Sequence, residues 1–171
     1  DALPPLLALG AQVELASTRG VRRVPVDGFC TGPKRTVREP DELIAAVLVP
    51  AADRPPGPQQ FAKVGTRTAM VIAVCSFALV LRPEQRRAGT GIGSAGPTPL
   101  RAGRAEEFLA AELPWHAGTE LPDGLARRFG ELVAAAATPI DDVRGSAAYR
   151  RHALAVLARR TLTWAWAEHR G

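Results

Sequence analysis

The sequence is short of several things, and each shortage excludes a class of protein. It holds only two cysteines, Cys30 and Cys75, far apart and with no Cys-x-x-Cys. That spacing suits neither an iron–sulfur nor a zinc site. Two buried thiols in a reducing, cytoplasmic setting are expected instead. Its three histidines, His116, His152 and His169, have neither an i+4 histidine nor a partner carboxylate. A metal face is therefore disfavoured, and surface or helix-packing roles are expected for them. No apolar run approaches the ~20 residues of a membrane span. The longest, Ala69 to Leu81, is interrupted by Cys75 and Ser76. The chain opens on Asp1, without an initiator methionine or the basic stretch of a signal peptide, so a piece of a longer protein is expected. Lysine is scarce as well. Lys34 and Lys63 are the only two among 22 basic residues, which leaves 20 arginines.

What is present is an ordinary globular composition. The 171 residues are 46% hydrophobic, enough for one domain or for two small ones sharing an interface. The net charge of +5 is spread among 17 acids. The densest basic group, Arg150, Arg151, Arg159 and Arg160, lies on one expected helix and reads as a solvated face. A nucleic-acid surface would gather its cations, and its affinity would fall steeply with salt.

Strand signals come first along the chain. Residues 1–10 read as a short apolar turn. Ala11 to Ala16 alternates apolar and polar residues, and Val21 to Val26 can return beside it. Pro25 to Phe29 looks like a single helical turn, Gly32-Pro33 and Glu39-Pro40 like turns, and Glu42 to Val49 like a strand ended by Pro50. A proline-rich loop near 50–60 marks the main boundary. Phe61 to Gly65, Val71 to Leu81 and Ala88 to Gly96 follow as strands, the middle one buried on both faces, with a polar turn at Pro83 to Arg87. Helices are expected over Arg104–Leu113, Pro122–Ala137 and Ala147–His169. Ser146 caps the last, and Leu154, Leu157, Thr161 and Trp164 form its inward face. Strands followed by helices, without βαβ alternation, give an α+β fold.

Few motifs carry chemistry. Gly91-Ile92-Gly93-Ser94-Ala95-Gly96 matches G-x-G-x-x-G, but Pro97 and Pro99 prevent a helix from starting at the third glycine. A glycine-rich strand and turn is the better reading. The serines sit in no nucleophile elbow, Asp141 and Asp142 suit helix-start capping, and Trp164 and Trp166 suit packing at a helix end. Lys63 stands on a strand before Gly65 and Arg67, in a chain that otherwise prefers arginine. It is either a point charge near a cofactor or a half-exposed strand residue.

Several segments together resemble one family, the FAD-binding medium subunit or middle domain of the molybdenum hydroxylases, which include carbon monoxide dehydrogenase, xanthine dehydrogenase and aldehyde oxidase. They are Asp1 to Leu15, Phe29 to Pro33, Glu42 to Pro50, Phe61 to Arg67, Ile92 to Arg101 followed by Ala105-Glu106, and, most specific, Asp142 to His152. They run in the family's order over essentially the whole chain.

The resemblance implies an FAD-binding α/β subdomain ending within residues 1–55. A C-terminal domain over 56–171 follows, with a three-stranded antiparallel sheet on a three-helix bundle. It implies that Asp1 contacts the ribityl region of the flavin. Backbone groups of Ile44 and Ala45 would face the isoalloxazine, and Lys63 would lie near the ring, where a cation favours the anionic reduced flavin. Asp142, Arg144, Ser146 and Tyr149 would organise the last helix, with Arg144 pairing Asp142 and Tyr149 packing across the helices. The molybdenum cofactor and [2Fe–2S] clusters would reside on a large molybdopterin subunit and a small iron–sulfur subunit, making this a cytoplasmic electron-transfer flavoprotein. The family's glycine loops that grip the FAD diphosphate would precede Asp1, so the chain alone would hold flavin weakly and be inactive. A flavin-free interaction or scaffold domain is the alternative reading.

Overall fold

The computed structural model describes residues 1–51, 57–67, 70–116, 118–122 and 124–170. The boundary expected near 50–60 falls partly on 52–56, outside those residues. Helix α1 (Leu3–Leu9) comes first, where the sequence suggests only a turn. Its prolines occupy the first turn, where a missing N–H costs nothing, and Gly10 closes it in the left-handed region. Strands β1 (Gln12–Ser17), β2 (Gly20–Pro25) and β5 (Leu43–Leu48) then form an antiparallel sheet in the order β2-β1-β5. Between β2 and β5 a short hairpin of β3 (Cys30–Gly32) and β4 (Arg35–Thr36) turns over on Pro33-Lys34, one residue beyond the expected Gly32-Pro33. The helical turn expected at Pro25–Phe29 is a tight turn closed by the Phe29 N–H on the Val26 carbonyl (3.1 Å), with Gly28 at φ +92°. Leu7, Val13, Leu15, Val26 and Phe29 bury together and hold α1, the sheet and the hairpin as one cluster.

The second half is the expected α+β unit. Strands β6 (Gln59–Val64), β7 (Cys75–Arg82) and β8 (Arg87–Gly93) pair antiparallel in that order, and helices α2 (Gly103–Glu112), α3 (Leu125–Ala136) and α4 (Ala147–Arg170) follow. One sheet face carries Phe77, Leu79, Leu81 and Ile92 against the helices, with Phe77 edge-on to Phe129 at 6.0 Å. Thr90, fully buried on the same strand pair, donates its hydroxyl to Glu106 (2.7 Å) and accepts the Ala102 N–H (2.9 Å), tying α2 to β8. Strand β7 begins four residues later than the hydropathy suggests. Residues 71–74 bend away after Val74 donates to the Val64 carbonyl (2.8 Å), and this exposes Ile72 by 67%. On α4 the inward tryptophan is Trp166, 1% exposed and donating to the Thr119 carbonyl (2.9 Å), while Trp164 is half exposed. The spacing in the sequence predicts Trp164 inward. The helix register instead carries Leu154, Ala158, Thr161, Leu162 and Ala165 to the core with Trp166.

The opposite face of this sheet receives α1. Glycines 89, 91 and 93 alternate along β8 and present no side chain to it. A Cβ on Gly91 would lie 2.0 Å from the Pro4 carbonyl oxygen, and one on Gly89 would lie 2.1 Å from that of Ala8. Backbone packs directly on backbone here. The G-x-G-x-x-G stretch is therefore a strand and turn, as the sequence suggests, and beyond that reading it seats a helix, with α1 filling the space a diphosphate would need. Arg82 fastens the other end of α1, donating to the Ala8 and Leu9 carbonyls (both 3.1 Å). Arg101 pairs with Glu106 and reaches Asp27 (3.6 Å), a second link between the halves.

Candidate functional site

Seating α1 on β8 delivers Asp1, two residues before the helix, to β6. Lys63 faces the same side of the sheet. Its Nζ donates to the Asp1 carboxylate and to the Val71 carbonyl (3.2 Å). Two of the four residues singled out in the sequence, 62 positions apart, are thus an ion pair. Both side chains remain partly exposed, at 32% for Lys63 and 45% for Asp1. Such a pair contributes little to stability, about 0–1 kcal/mol, so a solvated pair here retains the capacity to face a ligand.

Beside this pair opens a cleft of about 580 Å³, walled by Asp1, Arg67, the 70–73 segment, Ser94 and Arg144. Met70 (90% exposed) and Ile72 present apolar surface, and the Arg67 guanidinium folds back to donate to the Met70 carbonyl at 2.6 and 3.0 Å. Arg144 is held by Asp142 through Nε (3.2 Å) and Nη2 (2.9 Å), the pairing the resemblance implies. Asp142 accepts from Arg150 as well. That hydrogen bond first, then the Arg144 N–H (2.8 Å), keeps its carboxyl well below the usual range. Asp141 accepts the Ala147 N–H (2.5 Å) and Ser146 the Tyr149 N–H (3.2 Å), so both cap α4 as their positions suggest. Tyr149 is half exposed over Gly145 rather than packed across the helices. In the sequence, 71–74 read as strand and Arg144 as an organiser of the last helix. The bend before β7 puts residues 70–73 on the cleft wall, which Arg144 joins.

Ile44 and Ala45 lie elsewhere, on β5. No hydrogen bond or ion pair among the described residues joins them to Asp1 or Lys63. Leu15 pairs with Ile44 and Glu14 with Ala46, which leaves Ala45 as the extra residue of a β-bulge. A bulge frees that residue's backbone from the ladder, and β5 is also the edge of its sheet. Ile44 (53% exposed) and Val47 (46%) lie on the face whose β1 residues, Leu15 and Val13, are buried. The apolar face of the sheet therefore runs out from under its cover at β5.

The remaining candidates resolve simply. His116 and His152 are exposed, while the His169 ring lies tilted by 50° against Trp166 with centroids 5.0 Å apart. Among the described residues no three His, Cys, Asp or Glu gather to hold a metal, and no helix is long and apolar enough to cross a membrane. Cys75 is buried, and desolvation pushes its thiol up to about 11. Cys30 is only half-buried, contrary to expectation, because its hairpin lies over the edge of the first cluster.

Residues 60–165 match the CO dehydrogenase flavoprotein C-terminal domain, well over half of the chain. The chain belongs to this family. Residues 1–52 match the FAD binding domain in molybdopterin dehydrogenase. A putative xanthine dehydrogenase FAD-binding subunit of Escherichia coli (strain K12) is 29% identical over 166 residues, 95% of this chain and 54% of the relative. The nicotine 6-hydroxylase medium subunit of Paenarthrobacter nicotinovorans is 32% identical over 165 residues, covering 95% and 54%. A carbon monoxide dehydrogenase structure from Hydrogenophaga pseudoflava superposes with a TM-score of 0.84 at 26% identity, over 99% of this chain and 57% of that one. The chain thus spans about half the length of the curated relatives it matches.

Proposed function

We propose that this chain is the C-terminal part of an FAD-carrying electron-transfer subunit of a cytoplasmic molybdenum hydroxylase. It would work between [2Fe–2S] clusters on a small partner and an external acceptor, with the molybdenum cofactor on a large molybdopterin partner. In this reading residues 1–55 complete the FAD-binding subdomain and 56–171 form the C-terminal domain. The Asp1–Lys63 pair at the mouth of an open cleft carries the reading.

The residues present fit one portion of FAD. Asp1 is an acceptor for ribityl hydroxyls, and Lys63 is a cation for the ring. The bulged, unpaired backbone of Ala45 and the exposed Ile44 offer polar and apolar contact on an open sheet edge. The glycine row is filled by α1, so the diphosphate must be gripped by other residues. Bound FAD would supply a two-electron store between one-electron centres and the acceptor. The chain's own residues would orient it: Lys63 is oriented by the Val71 carbonyl, and Asp1 is set by the seat of α1.

The test is acid-released flavin per chain in the protein as purified, beside its intact mass. About one FAD per chain supports the reading. No flavin at full length replaces it with the interaction-domain reading.

A further inference from the structure

One arginine is out of character. Arg150, read from sequence as part of a solvated basic face, is 4% exposed beneath the 142–145 turn, whereas Arg151, Arg159 and Arg160 are exposed. Its Nη2 donates to the Asp142 carboxylate and its Nη1 to the Ser94 carbonyl (3.2 Å). Its Nε is buried without a hydrogen-bond partner. Burying a guanidinium on these terms is costly, so its pairing is weak evidence of a gain in stability.

Both of its partners lead to the cleft. Ser94 lines the cleft and sits at φ +57°, a left-handed conformation that a non-glycine residue keeps only where its surroundings impose it. Asp142 is shared with Arg144, which also lines the cleft. Removing Arg150 would leave the Ser94 turn unheld and give Asp142 wholly to Arg144, drawing that cation back and neutralising it.

We propose that Arg150 is a positioning residue for the flavin cleft, holding Ser94 directly and Arg144 through Asp142. This rests on the flavoprotein reading above. It predicts that the positive charge facing bound flavin depends on a side chain that never reaches the cleft.

The experiment compares Arg150→Met, Arg144→Gln and the double variant in the flavin-loaded holoprotein. It measures flavin per chain, the reduced-to-oxidised ratio of bound flavin at a fixed solution potential, and the melting temperature. Losing one facing charge is expected to lower that ratio about tenfold in either single variant, about 30 mV for a two-electron couple. Flavin content should be retained, and the double variant should shift no further than either single one. The melting temperature should fall in Arg150→Met and in the double variant, and not in Arg144→Gln. A ratio unmoved in Arg150→Met despite lower stability makes the residue merely structural and overturns the proposal. Additive shifts overturn it too, since they mean two independent charges. If Arg150→Met does not accumulate folded, Arg150→Lys is measured. It keeps the charge but cannot span Ser94 and Asp142 together, so it must still lower the ratio at least threefold, and a wild-type ratio overturns the proposal. Wild-type holoprotein without flavin overturns the flavoprotein reading along with it. Flavin present with an unmoved ratio overturns this proposal alone.

Discussion

Replacing Gly91 by alanine adds one methyl group and tests the largest structural claim made for this chain, that β8 is a seat for α1. Gly91 has an ordinary negative φ, so alanine fits its backbone and the effect is purely one of space. The new Cβ would stand 2.0 Å from the Pro4 oxygen, 2.6 Å from its carbonyl carbon and 2.8 Å from its Cα. All three are backbone atoms, so no rotamer relieves the clash. Ordinary contact begins near 3.4 Å, which requires α1 to lift by about 1.4 Å. Lifting it loosens Leu7 and Ala8 in two clusters and stretches both Arg82 hydrogen bonds. Overpacking a rigid contact costs about 1–3 kcal/mol, and the backbone contact places this case at the top of that range. For a chain of this size about 3 kcal/mol lowers the melting temperature by roughly 6–12 °C. Gly103→Ala is the control. Nothing lies within 4 Å of its Cβ, and it begins α2, so it is expected to be neutral or stabilising by up to about 1 kcal/mol. Thermal unfolding followed by circular dichroism reads both. A Gly91→Ala protein melting within about 2 °C of wild type refutes the helix-on-glycine packing, and with it the route by which Asp1 reaches Lys63.

Three further outcomes are expected. Glu42 is held by Arg22 through two hydrogen bonds (2.5 and 2.8 Å) and by the Glu39 N–H, which pulls its carboxyl down to about 2. A depressed carboxylate stabilises above its ordinary value and ceases to as pH falls towards 2. Melting temperatures taken between pH 6 and pH 2.5 should therefore fall less steeply in Glu42→Gln than in wild type, and parallel curves would count against the pairing. Trp166→Ala should destabilise by about 3–5 kcal/mol and Trp164→Ala by under about 1, as urea unfolding midpoints would show. Equal losses would mean the α4 register is wrong. Maleimide at pH 8 should modify Cys30 well before Cys75, whose thiol is buried and only about a thousandth ionised there. Mass spectrometry after partial reaction reads the order, and Cys75 reacting first would contradict its burial.

Much of this architecture was legible in one dimension. Alternation at Ala11–Ala16, the helical stripe on Leu125, Phe129 and Val133, and the caps at Ser146 and Asp141 are local signals, and local energetics decide them. Helix α1 escaped because seven residues with two prolines and no side-chain cap carry too little intrinsic helicity to be recognised. What makes α1 a helix is its packing on a strand without side chains. The bend at 71–74 escaped because an apolar run reads as buried strand whether or not anything covers it.

The candidate site divides along the same line. The scarcity of lysine and a place on a strand before Gly65 and Arg67 make Lys63 conspicuous, and the ordered segments from Asp1 to His152 carry the family. The tertiary structure decided that Asp1 and Lys63 meet, since 62 residues of chain separate them and only the seating of α1 closes the gap. It decided which arginine of the pair Arg150 and Arg151 is buried, because on a helix one residue of register is a rotation of about 100°. It also brought Arg144, held by Asp142, and Ser94 to one cleft. Sequence fixes what each residue can do in its own neighbourhood. Contacts between distant segments depend on how whole elements pack, and in this chain a row of three glycines governs that packing.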